Sequence, residues 1–498
     1  MLKRVLKMLG AQGTSVGMTL IAQYLLPPVF IHSYGIAKYG EWLALAAALS
    51  YLGSLNFGLT TYTSNQLTIL RQRGDLQEYR RLQASTLAFL IALVVVGILV
   101  CAGIGLSPLP ALLHLKSMTR RAAGLTAVFL GLLMLVHILF GYYNNLFMVI
   151  QETHRGAMWG NCRYFAPTLV AVPLALRHAS FPEIAFGEFL SALAIGLASV
   201  VDLKRRLGDL PLGLSGANWT TAKSAVVPSG MFAMVFTQQF LLFQAPVLIL
   251  QRLLGPEIVV LFSICRTILS TARRLLSMIT TSISPEITFS FGSGDMKKLL
   301  DIFHYSERVV FSLIPVVNLS ALLFSPVLLA IWLHKPQLFE PWTYAIMALI
   351  SCAMSMREHK QYFQYSTNVH QRLAHIVFWG NLTMIAVSIP ATMRFGLHGF
   401  MVTWLVSETT QMALLYRENK KLFGGDSSIS LVPVLKLAAF VGISIVPCMF
   451  LIEYLRHERL LVLSGVAAAG TVVLFAVSYF LFGLNRVQAR LLARFSAR

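Results

Sequence analysis

Six polar residues, Ser263, Arg266, Ser270, Arg273, Ser277 and Thr281, recur at spacings of three and four within an otherwise apolar stretch. That spacing places them on one face of a helix, with Arg274 beside them. Two or three guanidiniums on such a face can hold a polyvalent anion bidentately. Weaker polar stripes occur elsewhere: Gln12, Ser15, Thr19 and Gln23; Asn56, Thr60 and Thr63; Thr237, Gln244 and Gln251. Their amides and hydroxyls can bond one another across helices or line a polar cavity. Two carboxylates, Glu188 and Glu408, also fall in apolar stretches. They read either as counter-ions to the arginines or as carriers of a coupling cation.

The elements that position these residues follow from composition. The 498-residue chain is 56% hydrophobic and 12% charged, where an ordinary soluble protein is about 25% charged. A soluble globular enzyme is thereby excluded. At about 20 residues per bilayer crossing, the apolar content suffices for about fourteen transmembrane helices and short connections. Hydropathy and loop punctuation place spans near 10–32, 42–64, 84–105, 122–143, 157–178, 184–202, 225–252, 256–282, 308–332, 341–358, 372–393, 396–416, 431–453 and 460–482. The basic start Met1-Leu-Lys-Arg leads into an apolar run with no small-residue cleavage site after it, so it is expected to be an uncleaved first span.

The net charge of +20 would suggest nucleic acid on a soluble protein. Here Lys and Arg concentrate in the segments that lie inside when the N-terminus is cytoplasmic, and translocating them is unfavourable. Most of the excess therefore reports orientation, with both termini cytoplasmic and no nucleic-acid partner. Arg266, Arg273, Arg274 and Lys436 are read as lying inside spans, and the other basic residues as belonging to the loops and span ends. Arg266 lies roughly 15 Å below Pro256 along a helix, near the midplane, where an arginine costs at least about 2.5 kcal/mol. It is expected to line a watery cavity, to meet an anion, or to pair with Glu188 or Glu408. Arg273 and Arg274 lie deeper, where snorkelling competes, and Lys436 reads as a snorkelling anchor. The cluster Arg357-Glu358-His359-Lys360 reads as a solvated inner loop.

Other chemistry is not indicated. The five cysteines form no CxxC pair, so neither a disulfide framework nor a thiolate metal site is expected, and no cofactor is implied. The longest outer loop, Leu106 to Arg121, has no Asp or Glu to serve as a catalytic base. Enzymatic activity is not expected.

A shift of 220 residues aligns Trp159-Gly160-Asn161 with Trp379-Gly380-Asn381, a coincidence hard to obtain in a chain with seven Trp. The same shift pairs Gly35 with Gly255, Gly74-Asp75 with Gly294-Asp295, and Glu188 with Glu408. An even repeat of six spans keeps both copies in one orientation, the parallel-repeat plan of some transporters. The expected architecture is an all-α integral membrane protein. It comprises an N-terminal six-helix bundle over 1–206, a second over 207–423, and two extra helices with a basic tail over 424–498. The cavity between the bundles is expected to be lined by Gln23, Asn56, Gln244, Ser263, Ser270 and Ser277, with Arg266, Arg273 and Arg274 as its anion site.

Fourteen spans, the repeat, Tyr34-Gly-Ile-Ala-Lys-Tyr-Gly-Glu-Trp42, Arg73-Gly-Asp-Leu-Gln-Glu-Tyr79, Leu253-Leu-Gly-Pro-Glu257 and Ser284-Pro-Glu286 resemble a known family. It is the polysaccharide transporter, or O-antigen flippase, family of the multidrug/oligosaccharidyl-lipid/polysaccharide flippase superfamily. The resemblance covers about residues 8–416. It implies a multi-pass protein of the bacterial plasma membrane that flips a polyprenyl-pyrophosphate-linked oligosaccharide, an O-antigen or exopolysaccharide repeat unit, by alternating access. It also implies cationic cavity residues for the pyrophosphate, a role Arg266 matches by span and depth. Membrane lipids, a glycan polymerase and chain-length proteins are the implied partners. Two alternatives remain: a cation-coupled multidrug exporter of the same superfamily, which would need acids in the first span, and a non-transporting scaffold for glycan assembly.

Overall fold

The computed structural model describes residues 2–56, 59–107, 113–208, 210–223, 237–292, 294–367, 371–425, 429–455 and 458–484. Among these residues the regular elements are all helical. In chain order they are α1 (Leu2–Ser50), α2 (Leu59–Arg73), α3 (Leu76–Leu106), α4 (Arg120–Leu146), α5 (Thr153–Leu176), α6 (Phe181–Leu207) and α7 (Ala245–Leu254). There follow α8 (Pro256–Gly292), α9 (Met296–Trp332), α10 (Pro341–Ser366), α11 (Gln371–Leu422), α12 (Val432–Leu455) and α13 (Leu460–Leu481). Where they are described, the expected spans fall on helices; the first half of the seventh, 225–236, lies outside the described residues. Two pairs run together: α1 joins the first span to the second through a bend at Gly35 (φ 81°, ψ 169°), and α11 joins the eleventh to the twelfth at Gly396 (φ 61°, ψ −148°).

Among the described residues, eight helices are long and apolar enough to cross a membrane by length and composition alone. The helices α5, α8 and α10 do not meet that criterion, because their sequences carry Arg163, Arg266, Arg273, Arg274, Arg357 and Lys360. The packing is inverted relative to a water-soluble bundle. On α13, Leu461, Val472, Val473 and Phe480 are exposed, while Ala467, Leu474 and Ser478 are buried. Exposed apolar faces of this extent are suited to lipid.

The chain packs as two compact units, Met1–Val260 and Leu261–Arg498. In the first, α3 and α4 touch backbone to backbone, since a Cβ on Gly124 would lie 2.5 Å from the Gly105 carbonyl oxygen; small residues permit such approach between membrane helices. Glu41 accepts hydrogen bonds from the backbone N–H groups of Lys116 (2.6 Å) and Ser117 (2.7 Å), fastening that loop. In the second unit, α9 is the central element. It packs with α8, α10 and α12 through Leu276, Val310, Phe311, Ile314, Cys352 and Leu437. The last helix docks on it through Ser478, whose hydroxyl donates to the Ser312 carbonyl (2.5 Å), and Thr471, which bonds Ser320 (2.8 Å).

Local geometry matches at residues 220 apart. Gly255 (φ 93°, ψ 176°) repeats the conformation of Gly35. Gly74 and Gly294 both have φ 75°, and each precedes an aspartate that caps the next helix: Asp75 accepts from the N–H of Glu78 (3.0 Å) and Asp295 from that of Lys298 (2.9 Å). These are the left-handed helix stop and the side-chain N-cap that glycine and aspartate favour.

Candidate functional site

The arginine face of α8 is not uniform. The Arg266 guanidinium is half-buried and stands 5.2 Å from the centroid of the Phe262 ring, a geometry in which the ring's electron-rich face attracts the cation. Phe262 packs edge-to-face on Phe400 (5.8 Å) and against Trp404 (6.0 Å). Two turns farther along, Arg273 forms an ion pair with Glu358 of α10. Arg274 is beside it in the chain. The hydroxyls of Ser270 and Ser277 turn back to their own helix, bonding the carbonyls of Thr267 (3.1 Å) and Arg274 (2.9 Å). The Ser263 hydroxyl is buried without a hydrogen-bond partner.

The partner of Glu408 is Arg357. Its Nε lies 2.8 Å from the carboxylate, and Nη1 donates to the side-chain oxygen of Gln411 (3.1 Å). Trp404 donates from its indole to the other oxygen of Glu408 (3.2 Å). Gln411 in turn donates to Asn381 (3.1 Å), joining the two halves of α11 across the bend. A continuous series of contacts therefore runs from Arg266 through Phe262 and Trp404 to Glu408 and Arg357.

The reading of Arg357-Glu358-His359-Lys360 as a solvated loop is overturned. All four lie in α10, which continues to Ser366, and Arg357, His359 and Lys360 are buried. Successive residues of a helix point about 100° apart, so one short stretch can serve several neighbours. Arg357 reaches α11, Glu358 reaches α8, and Lys360 pairs with Glu307 of α9. His359 shares a 2.8 Å hydrogen bond with Ser306, also on α9. The hydropathy of the segment is low because its charges face protein, and composition cannot distinguish that from a face in water.

In the first unit, Glu188 is buried on α6 and makes no ion pair among the described residues. A buried arginine that the sequence reading did not single out, Arg163 of α5, occurs there. It donates to His137 of α4 (3.3 Å), lies 5.5 Å from the Tyr164 ring, and meets the side-chain oxygen of Asn144 (3.1 Å, with the amide oriented to satisfy its neighbours). All three neighbours are uncharged side chains or a ring, a setting that leaves the cation's field uncancelled locally. The signal available in the sequence was an arginine a few residues inside the fifth span.

The polar stripes are only partly described. Gln23 on α1 has its amide oxygen buried without a partner, and Gln244 lies at the start of α7. The side chain of Asn56 lies outside the described residues. Gln251 donates to the Leu113 carbonyl (3.2 Å), and Thr63 bonds Thr86 (3.2 Å). The Trp-Gly-Asn triplets are structural joints: Asn161 donates to the Ala11 carbonyl (2.8 Å), and Trp159 to Asp202 (2.9 Å). Among the described residues no group of three His, Cys, Asp or Glu is placed to hold a metal ion.

No protein-family model matches the sequence, and no curated protein matches it significantly. Solved structures do. The fold is similar to that of a structure described as lipid II flippase MurJ in an inward closed conformation, with 10% identity over 96% of this chain and 99% of that one, TM-score 0.66. It is also similar to an inward-facing multidrug resistance MATE family transporter of the MOP superfamily (11% identity, 82% and 96% coverage, TM-score 0.63). A third is the MATE multidrug transporter DinF-BH (14% identity, 83% and 95% coverage, TM-score 0.56). At these identities the likeness concerns the fold: an all-helical membrane architecture shared with the flippase over 96% of the chain and with the two MATE transporters over 82% and 83% of it.

Proposed function

We propose that this protein flips a polyprenyl-pyrophosphate-linked oligosaccharide, an O-antigen or exopolysaccharide repeat unit, across the bacterial plasma membrane by alternating access. The observation that carries this reading is the cationic face of α8, Arg266 and Arg274 with Arg273 beside them paired to Glu358, within a fold similar to that of a lipid II flippase along its full length. A pyrophosphate carries two or more negative charges, and guanidiniums at low dielectric bind it in bidentate fashion. Arg266 over Phe262 is the first contact in this scheme. The amides of Gln23, Asn56 and Gln244 and the hydroxyl of Ser263 meet the sugars, Ser270 and Ser277 join them by giving up the bonds to their own helix, and the polyprenyl tail stays in lipid. The repeat units 1–206 and 207–423 act as the two rocking bodies, with 424–498 appended. A glycan polymerase and chain-length proteins use the flipped product.

Cation-coupled export of drugs or other small molecules is the second reading, supported by the likeness to MATE transporters. The first span, with Gln23 and no acid, offers a cationic drug little. Deletion of the gene followed by lipid extraction separates the two. The flippase reading expects oligosaccharide-loaded carrier to accumulate in the inner leaflet. A change in drug sensitivity with unchanged carrier would establish the exporter instead.

A further inference from the structure

The Lys360–Glu307 pair has a setting unlike that of the other ion pairs in the second unit. Lys360 is fully buried, and its ammonium meets the Glu307 carboxylate on one side. On the others it lies 4.2 Å from the centroid of Phe303 and 5.1 Å from that of Phe311. The lysine is thus held by three groups, of which only one can change its charge. Two aromatic faces at this range attract a desolvated ammonium, so loss of the carboxylate's charge does not leave the cation without support.

Glu307 is the member of the pair that water can reach. It lines a cavity of about 420 Å³ between α9, α12 and α13, together with Phe311, Pro433 and Phe482. Lys360 does not line it. A water molecule needs roughly 10–15 Å³ of such space, so the cavity has ample room for water. The Arg357–Glu408 pair has no such access: Glu408 is completely buried against Trp404 and Gln411 and lines no part of this cavity.

We propose that Glu307 is a proton-binding site loaded from this cavity, and that its protonation releases α9 from its ionic tie to Lys360 of α10. The step is a proton transfer. A hydronium ion in the cavity gives its proton to a carboxylate oxygen of Glu307, leaving water, a neutral carboxyl group and an ammonium held by Phe303 and Phe311. The pair passes from neutral to a net charge of +1.

The charged and titratable groups around Glu307 and its cavity come from several helices. On α10 they are Lys360 and, beside it, His359, whose Nε2 bonds Ser306 and whose Nδ1 is buried without a hydrogen-bond partner. On α11 it is Tyr416, with a buried hydroxyl. On α12 it is Lys436, and on α9 itself Asp301, His304 and Arg308 border the cavity. The last helix contributes only apolar side chains, Leu481 and Phe482 at its end. Lys436, read from the sequence as a snorkelling anchor, lines this cavity.

The test is infrared difference spectroscopy of the purified full chain in lipid vesicles, following the C=O stretch of a protonated carboxylic acid as the buffer is acidified. The wild type and Asp301→Asn are expected to develop a band from a buried carboxyl group. Glu307→Gln is expected to lose it, as is the double variant Glu307→Gln/Lys360→Met, which removes both charges and keeps the fold if the single variant does not. A band that persists in a folded Glu307 variant, or that never forms in the wild type, overturns the proposal. Because the measurement uses protons alone and no transported molecule, its outcome is independent of whether the flippase reading holds.

Discussion

Arg357 and Glu408 lie 2.8 Å apart on neighbouring helices, both almost without solvent contact, and each is further bonded by the neutral side chains of Gln411 and Trp404. Removing one partner from such a pair leaves an uncompensated buried charge, at a cost of about 3–5 kcal/mol. Arg357→Ala is therefore expected to lower the unfolding temperature of the purified protein sharply. Replacing both partners by apolar residues of similar volume, Arg357→Met with Glu408→Leu, is expected to recover most of the loss. A single variant as stable as wild type would show that the pair carries no weight.

Arg266 tests the anion reading. Arg266→Ala is expected to abolish surface glycan while leaving expression and membrane insertion intact, because α8 keeps its apolar faces and Phe262 keeps its contacts with Phe400 and Trp404. Arg266→Lys is expected to restore part of the activity, since an ammonium replaces the charge without the bidentate fork. Normal surface glycan in the alanine variant at equal expression would remove Arg266 from the proposed site.

The helix stops at Gly74 and Gly294 provide a comparison within one chain. Both have φ 75°, where a Cβ costs roughly 1–2 kcal/mol, and neither has a neighbouring atom that a Cβ would strike. Gly74→Ala and Gly294→Ala are expected to destabilise by similar amounts from backbone strain alone. The double variant should show the sum, measured by thermal unfolding, because the effects of separate sites add.

Glu340 gives a pH dependence outside the spans. Burial raises its carboxyl pKa, but hydrogen bonds from Thr343 and the proximity of His398 outweigh burial and hold it below the usual value. Its Oε2 accepts from the Thr343 N–H (2.5 Å) and lies 3.3 Å from His398. A carboxyl depressed in the folded state contributes stability above its unfolded pKa, and that contribution fades as pH falls through the folded value. The unfolding temperature of the wild type is thus expected to drop on acidification more than that of Glu340→Gln. Equal slopes would show that this cap does not titrate.

The all-helical architecture, the positions of the described spans and the matched places of Gly35 and Gly255 in the repeat were legible in the sequence. Hydropathy follows directly from the cost of leaving backbone and polar groups in hydrocarbon, and glycine marks the backbone angles that other residues avoid. The fate of the charged residues was less legible. Arg266 and Glu408 stood out because apolar neighbours surround them, yet their partners did not. Lys360 and Arg357 looked like loop residues because four polar residues in a row lower local hydropathy whether they face water or three other helices. Arg163 was hidden by its nearness to a span end.

The sequence by itself determined that this is a many-helix membrane protein with an internal repeat of turns and an excess of cation over acid in its spans. Those properties depend on composition and on spacing along one chain. Only the tertiary structure decided which carboxylate meets which cation: Glu408 with Arg357, Glu358 with Arg273, and Glu307 with Lys360. Such pairings join residues 51 to 85 positions apart, and the strength of each depends on distance and on the exclusion of water. Both are fixed by how the helices pack and by nothing local to the chain.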